Sequence, residues 1–159
     1  MQEAVLFIAT IALGLMAGVF WVYAHAFMPG LGRTDDRTFV GAFQAVDRAI
    51  LNPQFMLTFL GALVLSGAAA LLQVGEDDGN ALPWAAAAFV LYLITVVLTL
   101  RVNVPLNDAL KAAGDPDDIE DLALVRARFD ERTWVRSNLV RVVLSTGAFA
   151  CMAAASLAA

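Results

Sequence analysis

The stretch AVLFIATIALGLMAGVFWVYA, residues 4–24, runs for 21 residues without a charged side chain. A helix rises 1.5 Å per residue, so about 20 apolar residues cross the roughly 30 Å hydrocarbon core of a bilayer. The block follows Glu3 instead of a basic cluster, and it is too long for the core of a secretory signal. We therefore expect a membrane-spanning helix that stays in the mature protein.

Three further uncharged blocks cover residues 53–75, 80–100 and 142–159. The chain of 159 residues is 60% hydrophobic and 16% charged, whereas soluble domains are nearer half apolar and a quarter charged. The prediction is an all-α integral membrane four-helix bundle in one domain, residues 1–159, with spans at about 4–25, 53–75, 82–102 and 137–158. We expect lipid bilayer around it.

The distribution of basic residues predicts the orientation. All ten lie in the connections between spans one and two and between spans three and four, or at the ends of those spans. By the positive-inside rule both long connections are cytoplasmic, and both termini and the loop 75–83 face outward. The expected location is a bacterial-type plasma membrane. The net charge of −5 argues against a nucleic-acid partner.

Both cytoplasmic connections carry apolar stripes typical of amphipathic helices. In the first, Thr34 is the expected N-cap and Asn52-Pro53 the expected end. In the second, Asp115-Pro116 is the expected helix start. The stripes consist of Phe39, Phe43, Val46 and Ile50, and of Ile119, Leu122, Val125 and Phe129.

Polar groups near hydrocarbon usually face a bundle interior, so they are the first candidates for a site. Trp21 and His25 lie one helical turn apart at the end of span one, with Tyr23 pointing elsewhere. His25 is the only histidine and the best candidate for a general base. The alternatives are a structural His25 and an interfacial aromatic belt formed by Trp21 and Tyr23.

Carboxamides follow in spans three and four. Asn103 and Asn107 flank Pro105, which loosens the helical turn between them, although this stretch could simply end the span. Trp134, Asn138 and Arg141 fall on one helix face. Arg141 either faces the interior or extends to lipid headgroups.

Two residues of the first connection, Gln44 and Asp47, either close this pocket from below or form a solvated face. The single Cys151 provides no disulfide framework and no cysteine zinc site. A carboxylate-rich metal site at His25 and Asp47 stays open.

Five features together resemble the small membrane family that contains the anthrone oxygenases, over nearly the whole chain. They are the four-span layout, Met28-Pro29-Gly30-Leu31, the Phe43-Gln44 helix running into Asn52-Pro53, Asn103-x-Pro105-x-Asn107, and Trp134-x-x-x-Asn138-x-x-Arg141. The resemblance implies a four-helix membrane protein that oxidises a polyketide anthrone to an anthraquinone. Dioxygen is the implied co-substrate, with no recognised organic cofactor. Asn103, Asn107, Trp134, Asn138 and Arg141 match the family pattern.

We therefore expect an oxygenase acting on a flat, lipophilic phenolic substrate by deprotonation and enolate stabilisation. His25 or Asp47 would remove the proton, and Arg141 with the carboxamides would stabilise the enolate oxygen. Trp134 and Trp21 would stack on the substrate. The alternative is a non-enzymatic membrane protein that binds a lipophilic ligand or serves as a partner subunit, with a homo-oligomer also open.

Overall fold

The computed structural model describes residues 1–75 and 80–159, and every regular element in these two ranges is a helix. The first rod comprises α1 (Gln2–Val22), a π-helical turn (Tyr23–Phe27) and α2 (Met28–Leu31). Helices α3 (Asp36–Ile50) and α4 (Pro53–Leu72) follow. The third rod comprises α5 (Leu82–Leu98), a second π-helical turn (Thr99–Asn103) and α6 (Val104–Ala112). Helices α7 (Leu122–Phe129) and α8 (Glu131–Ala158) complete the chain.

Each π-helical turn precedes a proline, Pro29 in the first rod and Pro105 in the third. Proline has no N–H group and its ring collides with the carbonyl four residues earlier, so an α-helix cannot pass through it unchanged. The widened turn accommodates the misfit: Met28 N–H bonds to Tyr23 O, and Val104 N–H to Thr99 O, five residues back. Both rods therefore continue past their prolines.

The long helices α1, α4, α5 and α8 form a bundle in which α1 and α5 each pack against both α4 and α8. Alanine fills much of the interior, which lets the backbones approach closely. Buried alanines include Ala9, Ala62, Ala85, Ala88, Ala148 and Ala155. The outer face is apolar and exposed, as at Phe7, Leu57 and Val143. Within the described residues, four helical segments are long and apolar enough to span a bilayer. The chain is thus an all-helical integral membrane protein.

One end of the bundle is covered by α3, α6 and α7, around a second apolar core rich in aromatic side chains. Phe43 is central to this core, with its ring 4.7 Å from that of Phe129 and 5.7 Å from that of Trp134. Phe39 and Phe43 of the first predicted stripe pack into this core, and all four residues of the second stripe pack in it or against it. Val46 and Ile50 of the first stripe lie outside the core and are half-buried. Part of the predicted outward loop, residues 76–79, lies outside the described residues.

Two predicted helix starts were wrong. Asp35 caps α3 by accepting hydrogen bonds from the backbone N–H and hydroxyl of Thr38, each at 2.9 Å, while Thr34 Oγ1 donates to Leu31 O instead. A carboxylate that follows Thr34 by one residue competes with it for the cap. Asp115 caps only a single turn, and α7 begins at Leu122 under the cap of Asp121.

Candidate functional site

A cavity of about 290 Å³ lies where the bundle meets α3. Its walls are mostly apolar, with a few polar groups that converge on it, which is the usual composition of a small-molecule site. Tyr23 and Thr99, one from each π-helical turn, face the cavity. The remaining polar and aromatic lining residues are Phe20, Phe43, Asp47, Phe55, Phe59, Asn107, Trp134 and Arg141.

Arg141 is a buried cation in the cavity wall, with 5% of its surface exposed. Its Nη1 donates to Thr99 Oγ1 at 3.2 Å and its Nη2 to Asn138 Oδ1 at 2.9 Å, while Nε has no hydrogen-bond partner within the described residues. Across the same residues no carboxylate forms an ion pair with it. The guanidinium carbon lies 4.7 Å from the ring centroid of Phe20 and 5.4 Å from that of Trp134. Aromatic faces stabilise a cation but cannot neutralise it.

A chain of hydrogen bonds runs along another wall of the cavity. Trp134 Nε1–H donates to Asn107 Oδ1 at 2.7 Å, and Asn107 Nδ2 donates to Asp47 Oδ1 at 2.7 Å. Lys111 Nζ lies 2.8 Å from Asp47 Oδ2 and 3.0 Å from the exposed Asp108. Asp47 itself is 7% exposed. An amide and an ammonium group thus hold this buried carboxylate in one orientation.

The other two carboxamides, Asn103 and Asn138, do not line the cavity but contact residues that do. Asn103 Nδ2 donates to Trp134 O at 3.3 Å, and Ser137 Oγ donates to Asn103 Oδ1 at 2.7 Å. Asn138 Nδ2 donates to Phe20 O at 3.1 Å while its Oδ1 accepts from Arg141. Each amide joins two of the membrane helices through a backbone carbonyl. Together they fix the positions of Trp134 and Arg141.

Gln44 likewise stabilises the site without direct contact with the cavity. Its Nε2 donates to Leu110 O at 2.8 Å and to Gly114 O at 3.0 Å, which ties α3 to the end of α6. Gln44 is buried but does not line the cavity. Asp47, one turn further along α3, does.

The structure does not bring His25 and Trp21 to the cavity. Their rings stack on the outer surface, with centroids 4.0 Å apart, and His25 Nδ1 lies 3.0 Å from Trp21 O. Trp21 is 54% exposed. Because Phe20 and Tyr23 face the interior, residues 21 and 25 point away from it. In the described parts of the chain no group of three or more His, Cys, Asp or Glu residues could hold a metal ion.

Two residues at the site were not predicted from the sequence: Lys111, which contacts Asp47, and Thr99, which lines the cavity. Lys111 continues the spacing of Asn103 and Asn107 by one more turn, so the same periodicity could have revealed it. Thr99 carried no such signal. Tyr23, which was expected to point away from the candidate site, lines the cavity instead.

This geometry defines a class: a small all-helical membrane protein with a mostly apolar cavity and, in the cavity wall, a buried cation that no carboxylate of residues 1–75 and 80–159 pairs with. The sequence model of the anthrone oxygenase family matches residues 55–151, more than half of the chain, and the protein belongs to that family. The matched part contains Asn107, Trp134 and Arg141, whereas Tyr23 and Asp47 precede it. Neither the curated proteins nor the solved structures contain a match.

Proposed function

We propose that the protein is an oxygenase that binds a flat, lipophilic phenolic substrate of the anthrone type in this cavity and oxidises it with dioxygen. The observation that carries the proposal is Arg141, a buried cation whose Nε has no hydrogen-bond partner and which no carboxylate among the described residues pairs with. A charge in such a place is costly unless something neutralises it. A bound oxyanion would do so.

The size and lining of the cavity support a flat aromatic occupant. Its 290 Å³ is at the lower end of ligand-binding pockets, which start at about 300 Å³. That volume suits one small fused-ring molecule. The rings of Phe20, Phe43 and Trp134 face the cavity and offer stacking or edge contacts to such a plane.

The chemistry requires a base and a stabiliser for the oxyanion. The methylene group of an anthrone loses a proton readily because the carbanion delocalises into the carbonyl and becomes a phenolate. Asp47 is the carboxylate in the cavity and is assigned as the base, a role for which His25 lies in the wrong place. Arg141 is assigned to stabilise the developing oxyanion, with Nε as a donor that no described residue uses.

The phenolate then reduces dioxygen. One oxygen atom becomes the new carbonyl of the quinone, and the other leaves as water with the two hydrogens of the former methylene group. Asn107 and Lys111 keep Asp47 in place during the first step, and Trp134 is kept in place by Asn107 and Asn103.

Oxygen uptake by protein in lipid nanodiscs tests the proposal. Wild-type protein should accelerate anthrone oxidation above the spontaneous rate, with quinone absorbance appearing in step with oxygen loss. Arg141→Gln should lower kcat by about 10²–10³-fold, as removal of an oxyanion donor does. Binding of the substrate by folded protein with no acceleration would contradict the enzyme and favour a ligand-binding protein.

A further inference from the structure

A second apolar depression, the lateral groove, lies on the outer face of the protein between α1 and α3 and has a volume of about 670 Å³. On the α1 side it is formed by residues such as Leu15, Gly18 and Val22, all exposed to the surroundings. Val46 and Ala49 of α3 form the opposite side. Its lining, as far as the described residues form it, contains no charged side chain. This part of α1 belongs to the first membrane span, so the groove faces lipid.

The lateral groove and the cavity share three lining residues: Val19, Tyr23 and Ile50. The two spaces are thus adjacent at these three residues. Ile50 is the last residue of α3, and the chain leaves helical geometry at Leu51. Side-chain rotation at Tyr23 and Ile50 would join the two spaces, a motion that needs only changes between staggered rotamers.

The side of the cavity that faces the covering helices α3, α6 and α7 is held together by stronger contacts than the side that faces the groove. There α3 is tied to α6 by Gln44, and Asp47 is held by Asn107 and Lys111. That polar layer offers an uncharged aromatic molecule no favourable interaction, whereas the molecule partitions readily into lipid.

We infer that the lateral groove is the access route by which the uncharged substrate passes from the bilayer into the cavity, with Val19, Tyr23 and Ile50 as the gate. The inference rests on the proposed function for the nature of the substrate. The substrate travels in its neutral form and ionises only beside Arg141, because the described residues that line the groove include no charged group.

Gly18 provides the test, because a side chain added there meets no atom within 4 Å and extends into the groove. Gly18→Leu would obstruct the route without touching the cavity. Ala49→Leu obstructs it from the opposite side. Gly61→Leu is the matched control: it also has open space around its Cβ, and Gly61 lines neither the groove nor the cavity.

The probe is 2-hydroxyanthraquinone, a flat phenol that cannot be oxidised further in this reaction, added to protein in lipid nanodiscs. Stopped-flow quenching of tryptophan fluorescence gives its association and dissociation rates. For Gly18→Leu and Ala49→Leu both rates should fall by about tenfold with Kd unchanged, since an obstructed path slows both directions equally. Gly61→Leu should match the wild type.

Wild-type rates in correctly folded Gly18→Leu and Ala49→Leu would overturn the access route, whether or not the protein oxidises an anthrone. A change in Kd without a matching fall in both rates would overturn it too, by showing that the substitutions act on the cavity. Failure of the proposed function would give a different result, namely ligand binding without accelerated oxygen uptake. The two inferences can therefore fail separately.

Discussion

The indole N–H of Trp134 donates a 2.7 Å hydrogen bond to the side-chain oxygen of Asn107, whose nitrogen in turn donates to Asp47 at 2.7 Å. One amide therefore fixes both the aromatic wall of the cavity and the assigned base. Asn107→Ala leaves the buried indole N–H and the Asp47 oxygen without this partner. The free energy of unfolding should fall by about 1–3 kcal/mol.

Thermal or chemical unfolding in detergent measures that loss. Asn80→Ala, at an exposed position before α5, is the control and should change stability by less than about 0.5 kcal/mol. Equal stability of the two variants would contradict the assigned hydrogen-bond chain.

Substitutions at Asp47 and at His25 distinguish between these two candidates for the general base. Asp47→Asn removes the only carboxylate among the described lining residues, and turnover should fall by about 10²–10⁴-fold. His25→Ala removes a ring on the outer surface, so kcat and KM should stay close to the wild-type values. Oxygen uptake under saturating anthrone measures both. A large loss of kcat in His25→Ala with Asp47→Asn still active would reverse the assignment.

Arg141 should cost stability in the ligand-free protein. Its charge is buried without a carboxylate partner in the described chain, and replacing buried charges by apolar groups is often stabilising. Arg141→Met should therefore raise the free energy of unfolding by about 1 kcal/mol while lowering kcat by about 10²–10³-fold. A variant that is both inactive and less stable than the wild type would argue for a structural role instead.

The cap of α3 makes its stability depend on pH. Hydrogen bonds from the Thr38 backbone N–H and hydroxyl hold the pKa of Asp35 below its usual range. This stabilisation is complete above the pKa of the unfolded chain and is lost as the pH falls through the lower folded value. Asp35→Asn keeps a capping side chain that cannot titrate. The Tm of the wild type relative to Asp35→Asn should therefore decrease below about pH 4, and a constant difference would contradict the cap.

The orientation in the membrane is a prediction from the distribution of charge, and labelling tests it. Asp118→Cys, in a Cys151→Ser background, lies in an exposed turn of the second long connection. An impermeant thiol reagent should leave it unlabelled in intact cells and label it after permeabilisation. Labelling of Asp118→Cys in intact cells would reverse the prediction. Gly114 is a poorer position, since its φ of +94° strains any larger residue.

The sequence allowed the spans, the covering helices and the interior face of α8 to be predicted, because each rests on a long apolar run or a helical period. The side of α1 that faces inward was harder. Phe20 and Tyr23 point in, while Trp21 and His25 point out, yet all four are aromatic and suit an interface equally well. Packing against Asn138, which bonds to Phe20 O, fixes the choice.

The different roles of the three carboxamides could not be predicted from the sequence either. Asn103, Asn107 and Asn138 have the same chemistry, and only Asn107 lines the cavity. Asn103 and Asn138 bond to backbone carbonyls of neighbouring helices. The first contact joins residues that are 31 positions apart in the sequence, and the second joins residues that are 118 positions apart. Such pairings arise from tertiary packing and leave no local signal.

The central claim is that Arg141 stabilises the anion of a bound phenol. An absorbance titration of 2-hydroxyanthraquinone in nanodiscs tests it directly, since the phenol and its phenolate differ in colour. Bound to the wild type, the probe should ionise about 1–3 pH units below its value in protein-free nanodiscs, because an adjacent cation favours the charged form. Bound to Arg141→Gln, it should lose that shift. A probe that binds the wild type and ionises at the same pH as in Arg141→Gln would contradict the claim.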